Sequence, residues 1–215
     1  IAYQLSIYHD NYGYGVEQLR FSDGVTWTHD DIKARVITNG TVGNDNISGI
    51  SNYTNRMYGL DGNDSLTGGA LVDMLDGGKG NDTLNGGAGN DTYVFGRGYG
   101  VDTVAENDAT AGNTDVLRMN TGINYDQLWF KQSGNNLEVS VIGTTDKTVI
   151  SNWFLGNQYH VEQIKTVDGN HTLLDSRVQN LVSAMASMTP PPAGQTVLTL
   201  AQQTTLAPVL AANWQ

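Results

Sequence analysis

The sequence predicts an all-β fold, a parallel β-roll flanked by a small antiparallel sheet and ending in a short C-terminal helix or extended tail. Three observations predict it. A nine-residue phrase recurs between residues 42 and 94, most plainly as Gly77-Gly78-Lys79-Gly80-Asn81-Asp82-Thr83-Leu84-Asn85 followed at once by Gly86-Gly87-Ala88-Gly89-Asn90-Asp91-Thr92-Tyr93-Val94. Downstream, 127–132, 137–142 and 148–153 alternate apolar and polar residues or carry β-branched runs, the mark of half-buried strands. Beyond Arg177 the chain has no Asp, Glu, Lys or Arg.

Each phrase joins a glycine-rich turn holding one aspartate to a three-residue strand holding one large apolar side chain. With the aspartate at position six and the apolar residue at position eight, the pairs are Asp45/Ile47, Asn55/Met57, Asp64/Leu66, Asp73/Leu75, Asp82/Leu84, Asp91/Tyr93 and Asp102/Val104. The steps are ten residues, then nine four times, then eleven. A fixed period of this kind marks stacked repeats, in which no unit can bury its own apolar face. A single apolar residue is shielded only if the chain doubles back, so two phrases make one coil and successive coils stack as parallel strands. One edge then carries Asp45, Asp64, Asp82 and Asp102, and the other Asn55, Asp73 and Asp91.

Parallel strands lie about 4.8 Å apart, so same-edge aspartates stand roughly that far from one another. A calcium ion with oxygens at about 2.3–2.6 Å on either side spans the same gap, whereas magnesium needs shorter bonds and resists dehydration. Two carboxylates about 5 Å apart repel by roughly 0.8 kcal/mol in water and about 3 kcal/mol at an effective dielectric near 20. Several such pairs approach the ~5–15 kcal/mol stability of a whole domain. Several Ca²⁺ ions are therefore expected, with folding and binding as one event. The expected ligands are the carboxylates of Asp45, Asp64, Asp73, Asp82, Asp91 and Asp102 and the turns at Gly62, Gly78, Gly80, Gly87 and Gly89, whose glycines reach conformations closed to other residues. Asp64–Asp82 lies closest to the phrase. Leu71 and Val72 weaken the Asp73–Asp91 pair, and Asn55 adds no charge.

Composition agrees. Twenty-two acidic against eleven basic residues give a net charge of −11, which repels nucleic acid and recruits cations. There are no cysteines, so neither disulfides nor thiolate metal sites are available. No apolar run approaches the roughly 18 residues of a membrane span, and no N-terminal signal peptide is visible. A monomer is expected. The chain opens at Ile1-Ala2-Tyr3-Gln4 without Met and reads as a fragment.

The phrase in 77–94 resembles the haemolysin-type calcium-binding nonapeptide of RTX proteins, and the resemblance implies a roll that binds Ca²⁺ through its aspartates and turn carbonyls. The stretch from Phe95 to Val104, with Asp115-Val116-Leu117-Arg118, is similar to the segment that closes such rolls. Glu106, Asp108 and Asp115 there suggest either a capping ion or an ordinary acidic loop. A longer repeat sets the organisation, because Val16-Glu17-Gln18-Leu19-Arg20-Phe21-Ser22-Asp23-Gly24 recurs 145 residues later as Val161-Glu162-Gln163-Ile164-Lys165-Thr166-Val167-Asp168-Gly169. The expected divisions are 1–37, the tail of a preceding module; 38–120, the roll with its cap; 121–178, a flanking antiparallel segment; and 179–215, the uncharged C-terminal segment. The layout resembles the haemolysin-type calcium-binding related module of secreted proteins. It implies an extracellular location and a C-terminal signal read by type I secretion machinery. Leu174, Val178, Leu181, Val182 and Met185 recur at helical spacing, which predicts a short helix over 175–188. The alternative for the tail is that it packs on the module, and both hold if it docks after transit.

No Gly-x-Ser-x-Gly elbow, His-Glu-x-x-His or phosphate-binding loop is present. His9, His29, His160 and His171 are isolated in sequence, and Tyr3, Tyr8, Tyr12 and Tyr14 read as packing. The expectation is a non-enzymatic calcium-folded module. Two alternatives stay open: the tail of an extracellular lipase, protease or polysaccharide-modifying enzyme, or an adhesin module with ligand contacts from Tyr12, Tyr14, Trp27 or Trp153.

Overall fold

The computed structural model describes residues 6–9 and 16–215, with side chains from residue 18 onward. The expectations for Tyr3, Tyr8, Tyr12, Tyr14 and the His9 side chain lie outside the described residues. The chain divides into two compact units, 1–37 and 38–215.

In the first unit, strands β1 (Ser6–His9), β2 (Val16–Arg20) and β3 (Thr26–Thr28) form an antiparallel sheet, followed by helix α1 (His29–Lys33). Thr28 starts the helix. Its hydroxyl accepts the Asp31 N–H while the Asp31 carboxylate accepts the Thr28 N–H at 3.0 Å, a reciprocal cap that satisfies two donors the helix itself cannot. Trp27 packs edge-on against Phe21 and lies under the Arg35 guanidinium, 4.8 Å from the ring centre.

The second unit is a roll. Its strands are β4 (Ile37–Asn39), β5 (Asn46–Ser48), β6 (Arg56–Asp61), β7 (Ser65–Gly69), β8 (Met74–Lys79), β9 (Thr83–Gly87), β10 (Thr92–Phe95), β11 (Val101–Val104) and β12 (Val116–Met119). They fall alternately into two sheets and pair in parallel with the strand two places away in sequence, as two phrases per coil require. The apolar residues stack in register. Ile47, Leu66, Leu84 and Val104 line one sheet, and Met57, Leu75, Tyr93 and Leu117 the other, all of them buried. Each such side chain contributes about 1.5–3 kcal/mol by leaving water, but only two enter the core per coil.

The roll does not stop where the phrase stops. After the hairpin of β13 (Leu128–Ser133) and β14 (Asn136–Val141), strand β15 (Lys147–Ile150) pairs in parallel with β11, and β16 (Gln163–Thr166) in parallel with β12. Among the described strands of this unit, antiparallel pairing joins β13–β14–β15 and β16 with β17 (His171–Leu174). These strands are not a sheet set beside the roll. They complete its two seven-stranded sheets, ordered β17-β16-β12-β10-β8-β6-β4 and β13-β14-β15-β11-β9-β7-β5.

The C-terminus also differs from a short helix or an extended tail. Helix α2 (Asp175–Met185) buries Val178, Leu181, Val182 and Met185 at the spacing read from sequence. A second helix, α3 (Leu200–Asn213), follows, begun by a reciprocal cap between Thr199 and Gln202 and carrying Pro208 inside it. Leu206, Leu210 and Trp214 are buried, and Thr172 and Gln215 exchange backbone hydrogen bonds of 2.8 and 2.9 Å. The physical reason is packing. Few charged side chains are needed on a helix whose apolar residues fold back onto a core and whose length is set by that contact.

The 145-residue repeat reappears as structure. β2, a turn with Gly24 at φ 90°, β3 and α1 match β16, a turn with Gly169 at φ 77°, β17 and α2. Both copies are an antiparallel hairpin running into a helix.

Candidate metal centre

The position-six residues build two ladders, one along each edge. On the first, the backbone N–H of Asp45 donates to Asp64 Oδ1 at 2.8 Å, that of Asp64 to Asp82 Oδ1 at 2.8 Å, and that of Asp82 to Asp102 Oδ1 at 3.1 Å. On the second, Asn55 donates to Asp73 at 2.6 Å, Asp73 to Asp91 at 2.8 Å, Asp91 to Asp115 at 2.7 Å, and Asp115 to Glu162 Oε2 at 2.6 Å. The expected aspartates are thus brought together, and the second ladder runs two rungs further than the phrase. Asp115 and Glu162 were missed as rungs, although each precedes a three-residue strand with a central apolar residue, Val116-Leu117-Arg118 and Gln163-Ile164-Lys165.

One oxygen of each carboxylate is engaged and the other is the point of interest. Asp64, Asp82, Asp91 and Asp102 are at most 3% exposed, and the Oδ2 atom of each is buried without a hydrogen-bond partner. An unpaired buried polar atom costs about 1–3 kcal/mol, more when charged. Burial pushes the carboxyls of Asp82 up to about 6, Asp91 to about 7, and Asp102 and Asp115 to about 8, with neighbouring carboxylates adding to the rise and the N–H from the preceding rung opposing it. A cation with hard oxygen preferences removes both costs at once.

The remaining position-six residues meet their needs internally. Asp45 Oδ2 accepts from the Thr41 N–H at 2.6 Å and hydroxyl at 2.9 Å, and Asp73 Oδ2 from the Gly69 N–H at 2.5 Å. Asn55 Oδ1 accepts from Ile50 N–H, and its amide donates to the Ile50 and Tyr53 carbonyls and to Asp73. A neutral rung closes its own turn.

Turn backbone supplies further oxygen. Gly78 (φ 90°) and Gly80 (φ 145°) hold conformations costly for any residue with a Cβ. A Cβ on Gly80 would strike the Gly62 carbonyl oxygen, and one on Gly78 the Leu60 carbonyl oxygen. Gly62, Gly87 and Gly89 share the positive φ. The carboxylate tips nest against position one, where a Cβ on Gly59, Gly77 or Gly86 would collide with Oδ2 of Asp64, Asp82 or Asp91. Among the described residues, no three His, Asp or Glu side chains converge on one point. Any ion on these edges therefore draws on rung carboxylates together with turn carbonyls, a donor set of oxygens alone that fits calcium.

A second side-chain ladder runs the other way. Asn63 N–H donates to Asn44 Oδ1, Asn81 to Asn63 and Val101 to Asn81, each at 2.8 Å, and Thr114 to Asn90 at 2.9 Å. The asparagines before Asp45, Asp64, Asp82 and Asp91 thus fix turn spacing, a role sequence reasoning missed although Asn-Asp doublets repeat plainly.

Of the proposed cap, Glu106 is buried and bonded to the Tyr93 hydroxyl. Asp108 accepts from Thr110 and Gly89 N–H groups, and Asp115 from Asn113. His160 is not isolated: it stacks on Trp153 at 3.9 Å, with Nε2 2.9 Å from the Trp153 carbonyl oxygen and Nδ1 3.2 Å from Asp175. Trp153 is 3% exposed, so it offers no surface to a glycan, and that part of the adhesin expectation is corrected.

Residues 51–70 and 68–101 match the RTX calcium-binding nonapeptide repeat, and residues 136–170 match the haemolysin-type calcium binding protein related domain. The chain is similar to the iron-regulated protein FrpA of Neisseria meningitidis serogroup C, with 36% identity over 80 residues covering 36% of this chain and 7% of that protein. It is also similar to the crystal structure of the extracellular lipase LipA from Serratia marcescens, with 21% identity and a TM-score of 0.41 over 69% of this chain and 24% of that one. The chain thus spans a small part of each relative. Residues 51–101 thus carry RTX calcium-binding nonapeptide repeats, and residues 136–170 a haemolysin-type calcium binding protein related domain.

Proposed function

We propose that this chain is a non-enzymatic calcium-folded module that stays unfolded where calcium is scarce and folds after export of the larger protein to which it belongs. The observation that carries the reading is the row of buried, unpartnered Oδ2 atoms on Asp64, Asp82, Asp91 and Asp102. Anions in that arrangement oppose the fold until divalent cations enter. Calcium supplies the missing charge compensation and the remaining oxygen bonds. The chain's own residues fix the spacing, through the asparagine ladder, the inward apolar stack and the glycine turns.

Type I export through an uncharged C-terminal signal follows the family resemblance, and the tail has a second role once folded. Its Leu206, Leu210 and Trp214 dock against the closing strands. A segment extended in transit and docked afterwards satisfies both roles.

Circular dichroism during calcium titration tests the folding claim, with magnesium as control. Little β signal in chelator and a cooperative gain with calcium are expected; equal β content in chelator sinks the reading. Export is tested by fusing the chain to a reporter in a type I secreting host. Truncation after residue 185 should abolish export, and undiminished export would remove the secretion role.

A further inference from the structure

The first edge continues past the last aspartate. β15 lies on β11 with Val101 against Lys147, Asp102 against Thr148 and Val104 against Ile150. Thr148 therefore occupies the place that Asp45, Asp64, Asp82 and Asp102 hold in the rungs below. It faces inward as they do, and both Thr148 and Asp102 are 1% exposed. On its other side β14 sets Val139 against it, fully buried and without a polar side-chain atom. The one polar side chain in register with Thr148 is Asp102. Neither Thr148 Oγ1 nor Asp102 Oδ2 has a hydrogen-bond partner.

Two buried oxygens in adjacent rungs, both unpartnered, call for a shared third party. The surroundings favour a cation over a neutral guest. Asp146, 6% exposed, accepts the N–H groups of Gly98 at 2.8 Å and Gly100 at 3.1 Å, so a second carboxylate pins the turn that leads into Asp102. Lys147, the adjacent base, is directed to Glu138 at 3.2 Å. The second edge differs at the matching rung, since Asp115 has a donor on each oxygen, the Asp91 N–H and the Asn113 amide, and its own N–H continues the ladder to Glu162.

We propose that Asp102 and Thr148 complete a further divalent-cation site, outside the nonapeptide repeats, that fastens strand β15 and the segment 136–170 to the end of the roll. The site takes calcium on a carboxylate and a hydroxyl oxygen, with turn oxygens filling the shell. This inference rests on the calcium reading above and deepens it, because it extends ion-dependent folding from the repeats to the segment that follows them.

The test uses the whole chain and counts bound calcium at saturation by equilibrium dialysis and calorimetry. Thr148→Val keeps a β-branched residue at a buried strand position and removes only the oxygen; Thr148→Ser keeps the oxygen. The valine variant should bind one ion fewer than the parent and the serine variant the same number. Hydrogen exchange at 147–150 should slow with calcium in the parent and serine chains, and less in the valine chain. An unchanged count and unchanged protection in Thr148→Val overturn the proposal, and would mark the hydroxyl as a partner of buried water. If the parent chain binds no calcium at all, the functional reading itself fails, which separates the two.

Discussion

Rungs built by the nonapeptide and rungs that follow it share one backbone architecture and solve its edges in opposite ways. Up to Val104 each coil buries two apolar side chains, and carboxylate oxygens stay unpartnered at Asp64, Asp82, Asp91 and Asp102. Beyond it, β12, β15 and β16 keep the same parallel register. They lean on a larger core of Ile123, Leu128, Phe130, Leu137 and Val139, closed by Leu181, Met185 and Leu206. The difference teaches that stacking and ion dependence are separable. The inward apolar residue encodes the stack, whereas on the proposed reading the unpaired carboxylate encodes the need for metal.

The strongest way to break this comparison is to delete a carboxylate from the repeat half. Asp82→Ala removes an acceptor for the Asp64 N–H and an unpaired anion beside the Asp64 and Asp102 rungs. Loss of a charged hydrogen bond is worth about 1.5–3 kcal/mol, so the calcium midpoint should rise about tenfold or more, with fewer ions bound at saturation. Asn55→Ala removes a residue that closes its own turn by hydrogen bonds to Ile50 and Tyr53. It should shift the midpoint less and leave the number of bound ions unchanged. Equal losses of bound ions in the two variants would erase the distinction between charged and neutral rungs.

How much of this was legible in sequence follows from the range of each signal. The nine-residue period places every apolar rung from Ile47 to Val104, because one side chain per phrase decides which way the strand faces. It also places the aspartates, whose ladder is a direct consequence of parallel stacking. The continuation through Thr148 and Glu162 was hidden, since its rungs are separated by the 13–14 hairpin and by irregular stretches with no fixed step. The helix α3 was hidden for another reason. With no charged face and a proline at 208, 200–213 carries little periodicity, and its shape is set by the surface it covers. The short and long repeats together carried the organisation; tertiary contacts supplied the rest.

A subtler probe sharpens the comparison through protons in place of calcium. In the folded chain burial raises the carboxyls of Asp82 to about 6, Asp91 to about 7 and Asp102 to about 8, from an ordinary value of 3.8. The folded state then binds protons more tightly than the unfolded one, so the stabilisation is complete below about 3.8 and is lost as pH rises through 6 to 8. In calcium-stripped buffer the β signal should therefore grow on acidification from pH 8 toward 4, because protonation neutralises the ladder that calcium otherwise neutralises. With calcium present the dependence reverses. Ion binding must expel those protons, so the calcium midpoint should move to higher concentration as pH falls from 8 to 6. A metal-free chain whose β content is flat across this window would mean that ladder charge is not what opposes folding, and the separation of stack from ion dependence would fall with it.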